Sequence, residues 1–362
     1  MDGPQTPALQ NKAVRKLLTE TGKYIALRQW DNAIAQARAA GREAEKIGDI
    51  NGMSTAGAHL ERFNDYNLSA HFLAAAGRLK VPSSLPEWDG SPLPGRTLQI
   101  VQRIRDIGSP IRLARFIPLA ARNAGRCIVL ANSRLVPLFR RSFPQVEVRE
   151  EGGDIGRDLA EANVIASYET IWQHLASDGP ALVKQFTPLR PDSALVRDFR
   201  KKYSSGRFLI GICWSSTNTK KDLPGLADWA SFLRSFKATY VSLQYGDAAA
   251  DVAELRYLSG CDLICDETVN SLSDLDTFSA QVAAMDAVVM ISNTGAHVAG
   301  ALGVPMFVLL DDKTHLVWPV QGGQTAWYPS ARLVRREGRG WAEVFAAVRQ
   351  EIDQRLSGAV VA

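Results

Sequence analysis

Long apolar runs are missing from this chain of 362 residues, and nothing approaches the roughly eighteen consecutive apolar residues that a membrane-spanning helix needs. The opening stretch MDGPQTPALQNK has neither a basic n-region nor an apolar h-region, so it does not read as a secretory signal and a cytoplasmic protein is expected. Cysteine is scarce. The four residues Cys127, Cys213, Cys261 and Cys265 fall mostly in strand-like segments, and Cys261 and Cys265 have the wrong spacing for a CxxC metal or redox pair. Reduced, buried thiols are the expected state. No second histidine or carboxylate stands at ligand spacing from His297, so no metal and no other bound cofactor is expected. Zinc-finger spacing, a homeodomain pattern and an aromatic RNP-like run are also lacking, which argues against nucleic acid as a partner.

What is present suits a globular α/β protein. A hydrophobic content of 46% is enough for real cores, and the length fits two ordinary domains plus an appendage. The net charge of +4 is unevenly spread: between Arg96 and Arg141 there are ten arginines against one acid, Asp106. A positive field of this kind attracts an anionic partner such as a nucleotide, a phosphorylated glycan or a membrane surface. Arg103, Arg105 and Arg112 are therefore candidates for the side that meets an anionic glycan or protein acceptor. A solvated helix face is the plainer reading of the same arginines.

Residues 1–81 read as all-helical, with Ala33, Ala37, Ala40, Ala44 and Ile47, and then Leu68, Phe72 and Ala75, following the helical period. Shifting Leu27-Arg28-Gln29-Trp30 by 33 residues brings it onto Leu60-Glu61-Arg62-Phe63, a spacing that matches tetratricopeptide-type helix pairs. Two such units are too few to stand alone. They dock on the next domain, extend a protein partner's array, or serve as a plain helical cap. Four prolines between Pro82 and Pro94 predict a linker over 82–95. Strands near Thr97–Val101, Cys127–Leu130, Val146–Val148 and Val164–Ala166, with a helix over Ile111–Asn123, predict a first α/β domain over 96–187. The polar, proline-marked 188–206 reads as a hinge. From FLIGIC onward, strands and helices alternate regularly to give a second, doubly wound domain over 207–340, closed by an amphipathic helix within 341–362.

The most informative stretch is Asp286 to Leu310, DAVVMISNTGAHVAGALGVPMFVLL, which reads as strand, tight polar turn, short helix and strand. Its turn lies at a strand's carboxyl end, where open α/β sheets bind ligands. Ser292, Asn293, Thr294 and Gly295 there offer hydroxyls and helix N-terminal amides to an anion such as a diphosphate. Three roles stand open for His297: packing against the turn, binding phosphate, or acting as a general base. After FLIGIC comes Trp214, Ser215, Ser216, Thr217, Asn218, Thr219, Lys220 and Lys221, a hydroxyl-rich loop whose lysines suit a phosphate, or else an exposed polar loop. Gln244 follows the next strand, where its amide suits a base edge; as an isolated feature it is an ordinary strand-end residue.

Five further stretches carry a family resemblance, namely Leu85-Pro86-Glu87-Trp88-Asp89-Gly90, Leu113-Ala114-Arg115-Phe116-Ile117-Pro118-Leu119, Gly211-Ile212-Cys213-Trp214, Val241-Ser242-Leu243-Gln244, and Ala296 to Pro305, with Trp327-Tyr328-Pro329 beyond. In this order and at these separations, the chain from about Leu85 to Leu356 resembles the bacterial tetratricopeptide-repeat glycosyltransferase group, itself similar to the family 9 heptosyltransferases and more remotely to the O-linked N-acetylglucosamine transferases. The resemblance implies a GT-B architecture of two Rossmann-like domains, in which the second holds a nucleotide-sugar and the first presents the acceptor. It also implies an inverting, metal-independent reaction.

Two acids of the group's pattern are absent. The group's glycine-rich loop ends in an Asp, the expected base, and here Ser109 takes that place within Arg105-Asp106-Ile107-Gly108-Ser109-Pro110. Ser292 likewise stands where the group tends to have an Asp five residues before His297. Asp106 and His297 are the remaining candidates for the base. The expected function is transfer of a sugar from a nucleotide-sugar to a glycan or protein. The alternative is a catalytically degenerate GT-B protein that binds a nucleotide or another protein.

Overall fold

In the computed structural model, which describes residues 7–80, 83–103, 106–152, 160–175, 178–313 and 317–359, the buried apolar runs form two separate parallel sheets. The chain divides into two compact units. The first comprises Met1–Val136, Phe143–Phe186 and Leu316–Gln321; the second comprises Pro137–Ser142, Thr187–His315 and Gly322–Ala362. No described helix is long and apolar enough to cross a membrane.

The first unit opens with four helices, Pro7–Ala26, Trp30–Ile47, Ile50–Arg62 and Tyr66–Lys80. Ala33, Ala37, Ala40 and Ala44 are fully buried, as the period predicts, and Phe72 closes the same cluster. The helix pairs do repeat, but by 36 residues rather than 33: Trp30 opens one second helix and Tyr66 the other. Arg28 and Asn64, in the left-handed conformation, make the equivalent tight turns. The shorter shift had laid Trp30 on Phe63 because both are aromatic. Their rings are in fact spatial neighbours, 6.5 Å apart, and not equivalents.

The residues after these helices do not behave as a free linker. Trp88 N donates to Ile165 O at 2.8 Å and Ile165 N to Pro86 O at 3.0 Å, so the Leu85–Gly90 stretch lies along a sheet strand. That sheet consists of β1 (Leu93–Val101), β2 (Ala124–Ala131), β3 (Glu147–Glu150) and β4 (Val164–Ser167), all parallel in the order β3-β2-β1-β4. The single helix expected over Ile111–Asn123 is broken into Gly108–Leu113, one 3₁₀ turn and Ile117–Ala121. Pro118 explains the break, since it has no N–H to continue a helical ladder and is tolerated only in a first turn. A further helix, Tyr168–Leu175, follows β4 directly.

Burial of the third helix's end has a consequence for pH. His59 accepts from Arg62 Nη2 at 2.7 Å, and burial lowers its pKa from 6.5 to about 3, with the Arg62 charge acting in the same direction. A depressed folded value means that stability is complete above pH 6.5 and falls as the unfolded chain alone takes up the proton. Acidification from pH 6.5 to 5 should therefore remove roughly 1.5 kcal/mol through this residue. Chemical denaturation at the two pH values checks it: His59→Gln should lessen that loss, and an unchanged pH slope would refute it.

The second unit carries a six-stranded parallel sheet of β5 (Leu209–Cys213), β6 (Thr239–Ser242), β7 (Leu263–Ile264), β8 (Ala287–Ile291), β9 (Met306–Leu310) and β10 (Ala331–Arg335). The order is β10-β9-β8-β5-β6-β7, with helices such as Leu226–Ser235, Ala249–Ser259 and Leu275–Ala283 in the crossovers. The stretch read as a hinge holds a helix, Ser193–Tyr203. Asp192 caps it by accepting from Ala194 N and Leu195 N, and Phe199 and Tyr203 are buried on one face. The terminal helix, Trp341–Ala359, places Val344, Phe345, Val348 and Ile352 in the same core as Trp229 and Phe232.

Candidate active site

In the second unit β5 and β8 are neighbours from which the chain proceeds toward opposite edges, β6 and β7 on one side and β9 and β10 on the other. Their carboxyl ends thus flank the topological switch point, where open α/β sheets bind ligands. Two segments meet there. One is the loop from Trp214 to Lys221, and the other is the turn Ser292–Gly295 that opens the helix Thr294–Leu302.

Lys221 joins these segments. It is half-buried, donates to the Ser292 carbonyl and lies 3.3 Å from Ser216 Oγ. Burial lowers its pKa, against a raising influence from Asp311. Lys220 is exposed, and its carbonyl accepts from Lys313 Nζ, so of the two lysines it is Lys221 that stands at the turn. Asn293 caps the helix by accepting from Ala296 N at 3.3 Å, while its Nδ2 reaches Cys213 Sγ at 3.0 Å. Thr294 is exposed beside that N-terminus and Ser292 is half-buried. A Cβ on Gly295 would face Asn293 Oδ1 at 3.1 Å, so glycine here protects the cap rather than the ligand's approach.

Two expected donor residues, Gln244 and Trp214, are built into the frame. Gln244 Oε1 accepts from Trp214 N at 3.0 Å and Ser215 N at 2.9 Å, and its Nε2 donates to Tyr245 O at 3.2 Å. Its amide thereby shapes the loop, whose own amides need an acceptor. Trp214 is 3% exposed with its Nε1 donating to Asp251, which makes its side chain core. Thr217 N donates to Tyr245 Oη at 3.0 Å, so that side chain fixes the loop from β6. His297 lies 2.9 Å from Tyr328 Oη. Tyr328 reaches it because Gly300, one turn on, leaves room for the phenol ring; a Cβ there would come within 2.4 Å of it. The histidine is thereby tethered through Nδ1 to Tyr328.

A cavity of about 480 Å³ opens next to these loops, at the carboxyl ends of β6 and β7, lined among others by Ser242, Tyr245, Asp247, Asn270 and Phe278. Neither Tyr245 nor Asp247 stood out in the sequence. The rule that singled out Gln244, a polar residue just past a strand, applied equally to both. Cys213 is buried and its thiol is pushed up to about 12 by burial; Cys265, expected to be buried, is exposed on the cavity rim.

In the first unit the arginines expected to meet an acceptor are turned inward. Arg103, 2% exposed, grips Glu87 with both Nη atoms at 2.8 Å, and Thr170 Oγ1 donates to the same carboxylate. Arg112, 4% exposed, is ion-paired with Glu61 and lies over the Trp172 ring. Arg115 donates to the Leu182 carbonyl, Arg126 pairs with Glu147 and Glu161, and Arg105 lies outside the described residues. Arg103, Arg112 and Arg126 are answered by acids from distant parts of the chain, which a count over one segment cannot register. Asp106 is exposed and accepts from Ser109 N at 2.6 Å, capping the helix Gly108–Leu113.

Comparison with known proteins gives the fold its class. No family model matches the chain. Protein FlbA of Caulobacter vibrioides is 28% identical over 290 residues, which is 74% of this chain and 48% of that protein, so the chain spans about half the length of the curated relative it matches. Among solved structures, the E. coli ADP-heptose lps heptosyltransferase II superposes with a TM-score of 0.51 at 12% identity, over 72% of this chain and 99% of that one. The glycosyl transferase family 9 protein from Veillonella parvula gives 0.50 at 10% identity, over 68% and 88%. The chain has the fold of the family 9 glycosyltransferases, a GT-B fold of two Rossmann-like units, here with a helical segment built onto the first.

Proposed function

We propose that the chain is a glycosyltransferase that takes a nucleotide-sugar into its second unit and transfers the sugar to a glycan or protein hydroxyl, with inversion and without a metal. The observation that carries this reading is Lys221, partly desolvated and bonded to the carbonyl of Ser292 at the mouth of the Thr294–Leu302 helix. A cation and a set of helix N-terminal amides converge there at a switch point, an arrangement suited to a leaving phosphate. The adjacent 480 Å³ cavity is of a size for the nucleoside. Asp106, at the carboxyl end of β1 in the first unit, is the base assigned to the acceptor hydroxyl.

Binding of UDP, GDP, ADP, CMP and their sugars, followed by thermal shift, tests the donor site, since ligand at a hundred times its dissociation constant adds about 2.7 kcal/mol of stability. With whichever nucleotide binds, Lys221→Ala should cost about 1.5–3 kcal/mol, or ten- to a hundredfold in affinity, by removing a charge-assisted contact. Thr294→Glu should weaken binding at least as much. Its carboxylate is favourable to the helix N-terminus, so the fold is kept while the phosphate is repelled. Calorimetric affinities equal to the parent's in both variants would remove the phosphate from this turn.

A further inference from the structure

The thiol of Cys213 lies between the two segments that meet at the switch point, and it is hydrogen-bonded on both sides. Cys213 is the last residue of β5 and is buried. It is in register with Met290 of β8, while its neighbour Ile212 is in register with Ser242 of β6. Its Sγ lies 3.2 Å from Gln244 Oε1 and 3.0 Å from Asn293 Nδ2. Those two residues follow β6 and β8, so one sulfur joins the carboxyl ends of three adjacent strands.

Backbone amides fix the direction of each bond. Trp214 N and Ser215 N both donate to Gln244 Oε1, so the atom that meets the thiol there is an acceptor and the S–H donates to it. Ala296 N donates to Asn293 Oδ1, which turns the Asn293 NH2 toward the sulfur, and there the sulfur accepts. Burial pushes the thiol up to about 12, so it keeps the proton that the first bond needs. The pinned amide also selects its capping partner. An N-cap oxygen can accept from the second or the third amide of a helix, and here it meets the third, Ala296 N. Among the described residues no acceptor is bonded to the first two, Thr294 N and Gly295 N.

We propose that Cys213 is a positioning residue of the donor site, whose thiol fixes both the start of the Trp214–Lys221 loop and the amide of Asn293 and so keeps Gly295 N open to the donor's phosphate. The proposal rests on the glycosyltransferase reading and deepens it. The loop is tied to the turn at both ends: at its start through the thiol, and at its far end through Lys221, which donates to Ser292 O. A side chain at 213 that cannot both donate and accept breaks the first tie. Alanine or valine there leaves the Asn293 NH2 without its acceptor, and the freed amide can swing its oxygen onto Gly295 N, in competition with the phosphate. Serine keeps one donor and an acceptor in the same place.

Cys213→Val, Cys213→Ala and Cys213→Ser test this beside the parent, by calorimetric titration with UDP, GDP, ADP, CMP and inorganic pyrophosphate. For whichever of these probes binds the parent, the valine and alanine variants should bind about tenfold more weakly, the scale of one unmade buried hydrogen bond, and Cys213→Ser should return to within about threefold of the parent. A thiol that merely fills the core would lower the Tm of the variants and leave the affinity of the folded protein alone. Parental affinity in folded Cys213→Val or Cys213→Ala would therefore overturn the proposal, and so would a serine variant as weak as the alanine one. The second measurement needs no ligand. In urea unfolding, Cys213→Ala/Asn293→Ala should lose less stability than the two single variants lose together, because either change alone already breaks the bond between them. Failure of every probe to bind the parent would overturn the donor-site reading and the positioning role with it, whereas additive losses in urea beside normal binding by the parent would overturn the positioning role alone.

Discussion

Arg112→Ala is expected to destabilise the first unit by about 3–5 kcal/mol, the range for breaking a buried ion pair by removing one partner. The guanidinium and the Glu61 carboxylate are 4% and 3% exposed, so the carboxylate left behind cannot be rehydrated in place. The arginine also covers the Trp172 ring, at 5.6 Å from its centroid, and that packing is lost in the same step. Glu61 belongs to the helical segment, while Arg112 and Trp172 belong to helices that cover the first sheet. The pair therefore ties the appended helices to the α/β body of the unit. Urea unfolding of Arg112→Ala and of the double variant Glu61→Leu/Arg112→Met separates two accounts. An isolated charge left buried makes the single variant the less stable of the two, because the double variant removes both charges. Loss of less than about 1 kcal/mol in Arg112→Ala would show the pair to be hydrated and weak.

The same arginine shows where sequence reasoning stops. Val288, Val289 and Ile291 are legible as a buried parallel strand because burial on both faces leaves a continuous β-branched run in the chain. Asn293 as cap and Gly303 in the left-handed conformation bound the following helix as their residue types predict. Such signals are local. Arg112 is paired with Glu61, 51 positions away, and Glu87 gathers Arg103 and Thr170 from 16 and 83 positions. Nothing in a charge count distinguishes an arginine that faces solvent from one that closes such a network. The bonds of Gln244 are illegible for a related reason, since the backbone amides of Trp214 and Ser215 that claim its oxygen become adjacent only when β5 and β6 pair. Ser193–Tyr203 was legible and missed: Asp192 before it, and Phe199 and Tyr203 at helical spacing, outweigh the prolines that suggested a hinge.

Asp106→Asn should lower turnover by about 10² to 10⁴ while leaving nucleotide affinity unchanged. The asparagine oxygen can still accept from Ser109 N, so the cap on the helix Gly108–Leu113 survives and the loss reports basicity alone. Ser109 cannot supply that basicity, because a hydroxyl in the first turn of a helix takes a proton only when another base relieves it. His297, whose Nδ1 lies 2.9 Å from Tyr328 Oη, is the other candidate base. Transfer from a labelled nucleotide-sugar to an acceptor extract, run for the parent, Asp106→Asn and Ser109→Asp, decides among the remaining readings. Strong parent activity that persists in Asp106→Asn removes Asp106 from the role of base. A silent parent that gains activity in Ser109→Asp identifies a chain that has kept its donor site and lost its base, which is the degenerate, nucleotide-binding alternative. Under the reading proposed here, Ser109→Asp places a second carboxylate beside Asp106 and the Ser109 N–H that caps onto it, and it should slow the parent rather than awaken it.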